Sequence, residues 1–226
     1  MRRTPARVPD CVKGETAEGF VLAGGASSRM GRDKALVEVA GRPLVEHALG
    51  ILREAGLEAR IAGARTALDA FAPVVKDEGG GPLAGVCAAL EAAEAELAVF
   101  LPVDMPLAPA SLIGCLLHYA RVTGAAVTVP RVCGYAQTFP AVVRRETLPE
   151  LRRALEDGEG GCFAAFRQVA EKMKRPFFRI AVEELAQCGQ AGHALGVAAA
   201  RWLMNVNTPE EVRRAEALLV RAVRVS

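Results

Sequence analysis

Apolar runs of strand length alternate with helical patterns through the first half of this 226-residue chain, and that alternation limits the available folds most. Strand-like segments are read at residues 19–23, 59–62, 73–77 and 98–103. Helical patterns follow them, one opened by Pro43, one from Leu83 to about Glu96 and one from about Ala108 to Arg121. Parallel strands need crossovers of about this length, and such crossovers are right-handed. Helices then cover both faces of the sheet, which is why the strands read as continuous apolar runs. The expected fold is α/β, a doubly wound, mostly parallel sheet in three layers, α/β/α.

The second half changes character. Residues 125–130 and 137–143 lie close enough in sequence to pair antiparallel, giving the sheet an antiparallel portion. A helix follows over LPELRRALEDG, then a strand at 177–182 and a last short strand at 202–206. Thr208 as N-cap, Pro209 at the first helical position and Glu211 three residues after the cap open a C-terminal helix with a capping box. Residues 1–17 read as a loose tail and 18–226 as a single domain, because no repeat, linker or composition break divides them.

Composition excludes several classes of function. The net charge of +2 comes from cations interleaved with carboxylates, which argues against a nucleic-acid partner. No apolar run approaches the roughly twenty residues of a membrane span, and the N-terminal residues lack the apolar core of a secretory signal. A cytoplasmic protein is expected. Six cysteines and three histidines show neither zinc-ligand spacing nor a disulfide framework, so reduced cysteines in or near a core are expected.

The stretch LAGGASSRMGRDKAL, directly after the first strand, unites small residues with Arg29, Arg32 and Lys34. In a doubly wound sheet, ligands bind beyond the carboxyl ends of the strands, where a glycine-rich turn lets backbone N–H groups approach phosphates. The stretch is not a Walker loop, since Arg32 and Asp33 follow Gly31, and the doublet Gly24-Gly25 does not fit a dinucleotide fingerprint. Three cations in such a loop can surround a triphosphate. Asp104 follows the strand at 98–103, where a carboxylate would project toward the ligand crevice; capping the next helix is the alternative role.

The set LAGG-x-SSRMG-x-DK (22–34), GPLAG (81–85), PVDMP (102–106) and NVNTPEE (205–211) resembles the molybdenum cofactor guanylyltransferase family, in family order. The resemblance implies a Rossmann-like nucleotidyltransferase that moves GMP from GTP to molybdopterin and releases pyrophosphate. It implies Mg²⁺ on Asp104, with Lys34 and Arg29 on the phosphates. Leu22, Ala23, Gly24 and Gly25 would supply backbone contacts to the nucleotide, and Asp77, Gly81, Pro82 and Leu83 would hold the nucleoside. Asn205 and Asn207 would lie on the acceptor side. Other cofactor-biosynthesis proteins or molybdoenzymes are possible partners. Two departures bear on the base: Ala62-Gly63-Ala64-Arg65 stands where family members often carry an Asn, and the spacing from Asp77 to Gly81 is short. A cytidylyltransferase of the same pathway, a sugar-nucleotide pyrophosphorylase and a non-catalytic nucleotide-binding protein of this fold stay open as alternatives.

Overall fold

The computed structural model describes residues 14–24, 33–63, 68–77, 79, 81–159 and 161–220. In chain order the strands are β1 (Ala17–Leu22), β2 (Glu38–Val39), β3 (Arg42–Pro43), β4 (Glu58–Ala62), β5 (Val74–Val75), β6 (Leu97–Pro102), β7 (Val127–Val132), β8 (Tyr135–Ala136), β9 (Ala141–Arg144) and β10 (Phe177–Ala181). The helices are α1 (Leu44–Glu54), α2 (Pro82–Ala92), α3 (Ala110–Thr123), α4 (Leu148–Glu156), α5 (Cys162–Lys172), α6 (Val182–Gln187) and α7 (Pro209–Val220). The main sheet runs β10-β7-β9-β6-β1-β4-β5, with β8 paired to β7. β1 pairs parallel with β4 and β6, β4 with β5, and β10 with β7. β9 runs antiparallel to both β6 and β7, the antiparallel portion expected in the second half.

Alternation along the central strands divides the core in two. Val21, Ile61, Val99 and Leu101 face one side, where α1 and α3 pack and where Trp202 and Ala215 of the C-terminal region join them. Phe20, Ala98 and Phe100 face the other, against α2, α4 and α5. Phe20 and Phe100 stack across neighbouring strands with centroids 5.8 Å apart. This is the three-layer α/β/α arrangement, and both faces of the sheet are dry because helices cover both.

Several boundaries differ from the sequence reading. α2 stops at Ala92, short of Glu96, because the Glu18 carboxylate accepts from the Glu94 and Ala95 N–H groups at 2.8 Å each and turns the chain into β6. The loose tail expected over 1–17 loses its last residues to the fold. Glu15 forms a two-pronged pair with the buried Arg144 at 2.5 and 3.1 Å, and Ala17 opens β1. Of the strand expected at 137–143, only Ala141–Arg144 enters the ladder, and the Phe139–Pro140 peptide is cis. Residues 202–206 form no strand. Trp202 ends a 3-10 turn, its indole N–H bonded to the Val197 carbonyl at 2.7 Å, and the chain then crosses over the end of the sheet. Helices α5 and α6 and the β2–β3 hairpin were not anticipated. Of the cysteines, Cys87, Cys115 and Cys162 are buried and Cys133 and Cys188 are exposed.

Candidate active site

The carboxyl ends of the parallel strands β1, β4 and β6 open into one cleft of about 340 Å³. The 3-10 turn Lys34–Leu36 is the next described element after β1, and Asp33 caps it by accepting the Ala35 N–H at 3.1 Å. Asp33 therefore sets the position of Lys34. The ammonium of Lys34 donates to Asp104 Oδ2 at 2.6 Å and to Asn207 Oδ1. Three residues from distant parts of the chain thus meet at one point.

Asp104 sits just past β6, and its backbone carbonyl accepts the Val206 N–H at 2.9 Å, stitching the segment before α7 to the strand end. α3 begins only at Ala110 with Pro109 at the cap position, so Asp104 does not cap it. The second carboxylate oxygen, Oδ1, is buried and has no hydrogen-bond partner among the described residues. A buried, unpartnered anionic oxygen is costly unless a cation uses it. A hard divalent cation fits this oxygen chemically. Among the described residues no cluster of three or more His, Cys, Asp or Glu could hold a metal by itself. A hard cation held by one or two carboxylates, with waters and ligand oxygens completing its shell, needs no such cluster.

The opposite wall is the start of α2. Gly81, at its N-cap, has φ +90° and ψ −172°, a backbone shape open essentially only to glycine, where a side chain would cost about 1–3 kcal/mol. Among the described residues no side chain caps this end, so the first N–H groups of α2 can meet an anion or a ligand carbonyl. Asp77 stands between Gly24 and Gly85: a Cβ on either glycine would come within 3.5 and 3.3 Å of its Oδ2. Its other oxygen accepts the Gly79 N–H at 3.1 Å, which aims the carboxylate across the cleft mouth.

Of the residues singled out from the sequence, Leu22, Gly24, Lys34, Asp77, Gly81, Pro82, Asp104 and Asn205 line the cleft. Ala23 and Leu83 do not; both are buried, Ala23 donating its N–H to the Ala62 carbonyl at 3.0 Å and Leu83 packed under α2. Asn207 reaches the site through Lys34. Gly25 and Arg29 lie outside the described residues, as do Ala64 and Arg65 of the stretch where family members often carry an Asn. The sequence reading overlooked the wall made by Gln137, Thr138 and Phe139, which the failed strand assignment hid. Pro140, which cannot donate to a ladder, was the signal that this segment leaves the sheet. None of the three histidines lines the cleft, and burial holds His47 and His193 below the ordinary imidazole value.

Residues 19–175 match the MobA-like NTP transferase domain. The chain is 33% identical over 201 residues to the molybdenum cofactor guanylyltransferase of Pseudomonas putida, covering 86% of this chain and 94% of that one. It is 48% identical over 101 residues to the molybdenum cofactor guanylyltransferase of Xanthomonas euvesicatoria, a match spanning 44% of this chain and about half, 52%, of that relative. The crystal structure of molybdopterin-guanine dinucleotide biosynthesis protein A from Archaeoglobus fulgidus shares the fold, with a TM-score of 0.71 at 22% identity over 90% of this chain and 99% of that one. With the strand-end cleft, the Lys34–Asp104 pair and these relatives together, the chain belongs to the MobA-like NTP transferases, in the molybdenum cofactor guanylyltransferase family, and is a nucleotidyltransferase.

Proposed function

We propose that the protein transfers GMP from GTP to the terminal phosphate of molybdopterin, giving the guanine dinucleotide and pyrophosphate. The observation that carries this reading is the meeting of Lys34, Asp104 and Asn207 opposite the uncapped start of α2, in the cleft at the strand ends. Relatives of this chain are named molybdenum cofactor guanylyltransferase.

In this reading the nucleoside lies against Gly81, Pro82 and Asp77, whose carboxylate accepts from base N–H or ribose O–H groups. Lys34 turns from Asp104 toward the triphosphate and stabilises charge gathering on the α-phosphate and the departing pyrophosphate. Asp104, with its unpartnered Oδ1, would hold Mg²⁺, which supplies counter-charge to the phosphates when bound. Gln137, Thr138, Phe139 and Asn205 form the remaining wall and receive the acceptor. An oxygen of the acceptor phosphate bonds to the α-phosphorus as the bond from that phosphorus to the pyrophosphate oxygen breaks. A phosphate monoester with second pKa near 6 is already largely anionic at neutral pH, so no general base is needed. A cleft lined by no histidine suits that requirement. Catalysis is then positioning plus fixed charge.

Calorimetry with the Mg²⁺ complexes of GTP, CTP and ATP tests the base. GTP is expected to bind at least about tenfold more tightly than either rival, a difference of about 1.4 kcal/mol. CTP binding equal to or tighter than GTP would transfer the chain to cytidylyl chemistry.

A further inference from the structure

β10 is the outermost strand of the sheet: among the described residues it pairs with β7 on one side and with no strand on the other. The Pro176 carbonyl accepts from the Ala126 N–H at 3.0 Å, toward β7. Successive residues of a strand turn their backbone groups to opposite sides, so the N–H and C=O of Phe177 and Arg179 face out of the sheet. A strand edge of this kind is a template for another strand.

Beside the edge runs a groove of about 470 Å³ between α5 and β10, lined by Phe163, Arg167, Glu171, Arg175, Phe177 and Arg179. Phe163 and Phe177 meet edge to face, centroids 5.5 Å apart, and make its floor apolar. Arg175 is engaged, donating to the Gly124 carbonyl at 3.0 Å and pairing with Glu146 at 3.0 Å. Arg167 and Arg179 are exposed and make no ion pair among the described residues. Residues 167–179 carry Arg167, Lys172, Lys174, Arg175 and Arg179 against Glu171; Lys172 pairs with Glu150 at 3.7 Å, which leaves Arg167, Lys174 and Arg179 without an ion pair among the described residues.

That charge selects the occupant. A second copy pairing antiparallel about the centre of β10 would set Arg179 against Arg179, which is unfavourable. The chain's own ends are also wrong: residues 1–13 hold Arg2, Arg3, Arg7 and Lys13 against Asp10, and residues 221–226 hold Arg221 and Arg224 with no carboxylate. Nucleic acid would answer the cations but leave the outward backbone groups unused. We propose that the free edge of β10 and the groove beside it dock an extended acidic segment of a partner protein. The segment adds to β10 as a strand and sets its carboxylates against Arg167 and Arg179. The edge lies three strand spacings, roughly 14 Å, from β6, past whose end Asp104 sits.

The probe is a blocked, fluorescein-labelled peptide of alternating glutamate and valine, titrated into the full chain. Saturable binding is expected, weakened at least about tenfold when salt is raised to about 0.3 M. The double variant Arg167→Glu/Arg179→Glu should bind at least about tenfold more weakly while melting like the parent and keeping its pyrophosphate release. If charge reversal lowers the melting temperature, Arg167→Gln/Arg179→Gln serves instead, with a smaller but clear loss. The same peptide N-methylated at alternate residues should not bind, because methylation removes the ladder donors. The proposal is overturned by absence of saturable binding, by indifference to the arginine changes, or by equal binding of the methylated peptide. A dimer in solution that dissociates in the Arg179 variant would show that the edge serves a second copy. A single-stranded oligonucleotide that binds more tightly and displaces the peptide would also overturn it.

Discussion

Lys34 and Asp104 are 70 residues apart in sequence and 2.6 Å apart in space, and each explains the other's position. The carboxylate needs a cation because Oδ1 is buried and meets no donor among the described residues, and the lysine supplies one to Oδ2. Asp104→Asn keeps the shape of the side chain, and no helix cap is lost with it because α3 starts at Ala110. The variant is expected to melt like the parent. Its turnover, measured as pyrophosphate release from GTP with molybdopterin across a Mg²⁺ titration, should fall on the order of a hundredfold, as when a central electrostatic contact is removed. Lys34→Ala should lower turnover more than it raises the KM for GTP, since its contact strengthens as charge develops. The two changes combined should cost less than their sum, because they dismantle one unit. An Asp104→Asn enzyme that turns over within a few-fold of the parent would sink the assignment.

At the scale of elements, α7 acts as a brace for that pair. Its first turn holds Asn207: Glu211 accepts the Asn207 N–H at 2.7 Å and also meets the Thr208 hydroxyl, while the Glu211 N–H donates back to Thr208 at 3.2 Å. The capping box expected from the sequence is present with the carboxylate reaching one residue further back. The Asn207 N–H holds the Glu211 carboxyl below its ordinary value of 4.5, with smaller help from Thr208 and Lys34. A carboxylate with a lowered folded value stabilises fully above its unfolded value and loses that contribution as pH falls through the folded one. The melting temperature of the parent should therefore drop more steeply below about pH 4.5 than that of Glu211→Gln, whose amide still accepts the N–H but does not titrate. Parallel curves for the two proteins would remove Glu211 from this role. Glu211→Ala removes the acceptor of the Asn207 N–H while its own N–H still reaches the Thr208 hydroxyl, so it should melt below Glu211→Gln at neutral pH. What the sequence made legible here was local chemistry, the Thr208 cap and the Gly81–Pro82 helix start. Contacts through space were not legible: nothing in NVNTPEE shows that its second asparagine will meet Lys34. Helix α5 was legible and overlooked, since Cys162, Ala165, Phe166, Val169 and Ala170 follow the helical period and are all buried.

Across the whole molecule, the sequence pattern determined the layers because strands buried on both faces admit little else, whereas the edges of the sheet depended on long-range competition. Residues 202–206 have strand composition, yet the last edge position went to β10, and Trp202 was spent on the core beneath the crossing segment. The cysteines report on how far this packing is cooperative. Burial pushes the Cys87 and Cys115 thiols up to about 11 and Cys162 up to about 12, and they lie in both halves of the core. Cys133 and Cys188 are exposed, so a thiol reagent at pH 8 should modify those two without any opening of the core. Cys11, outside the described residues, is changed to Ser to keep the count clean. The three buried thiols should react only when the core opens, and all three at one slow rate if the two halves unfold together. Mg-GTP at about a hundred times its Kd should slow that common rate about a hundredfold, because the nucleotide binds the folded chain alone, and should leave Cys133 and Cys188 unaffected. Mass spectrometry of timed, quenched samples assigns each site. Faster labelling of Cys87 and Cys162 than of Cys115 would mean that the face carrying α2, α4 and α5 opens by itself and that the two halves of the core do not unfold together.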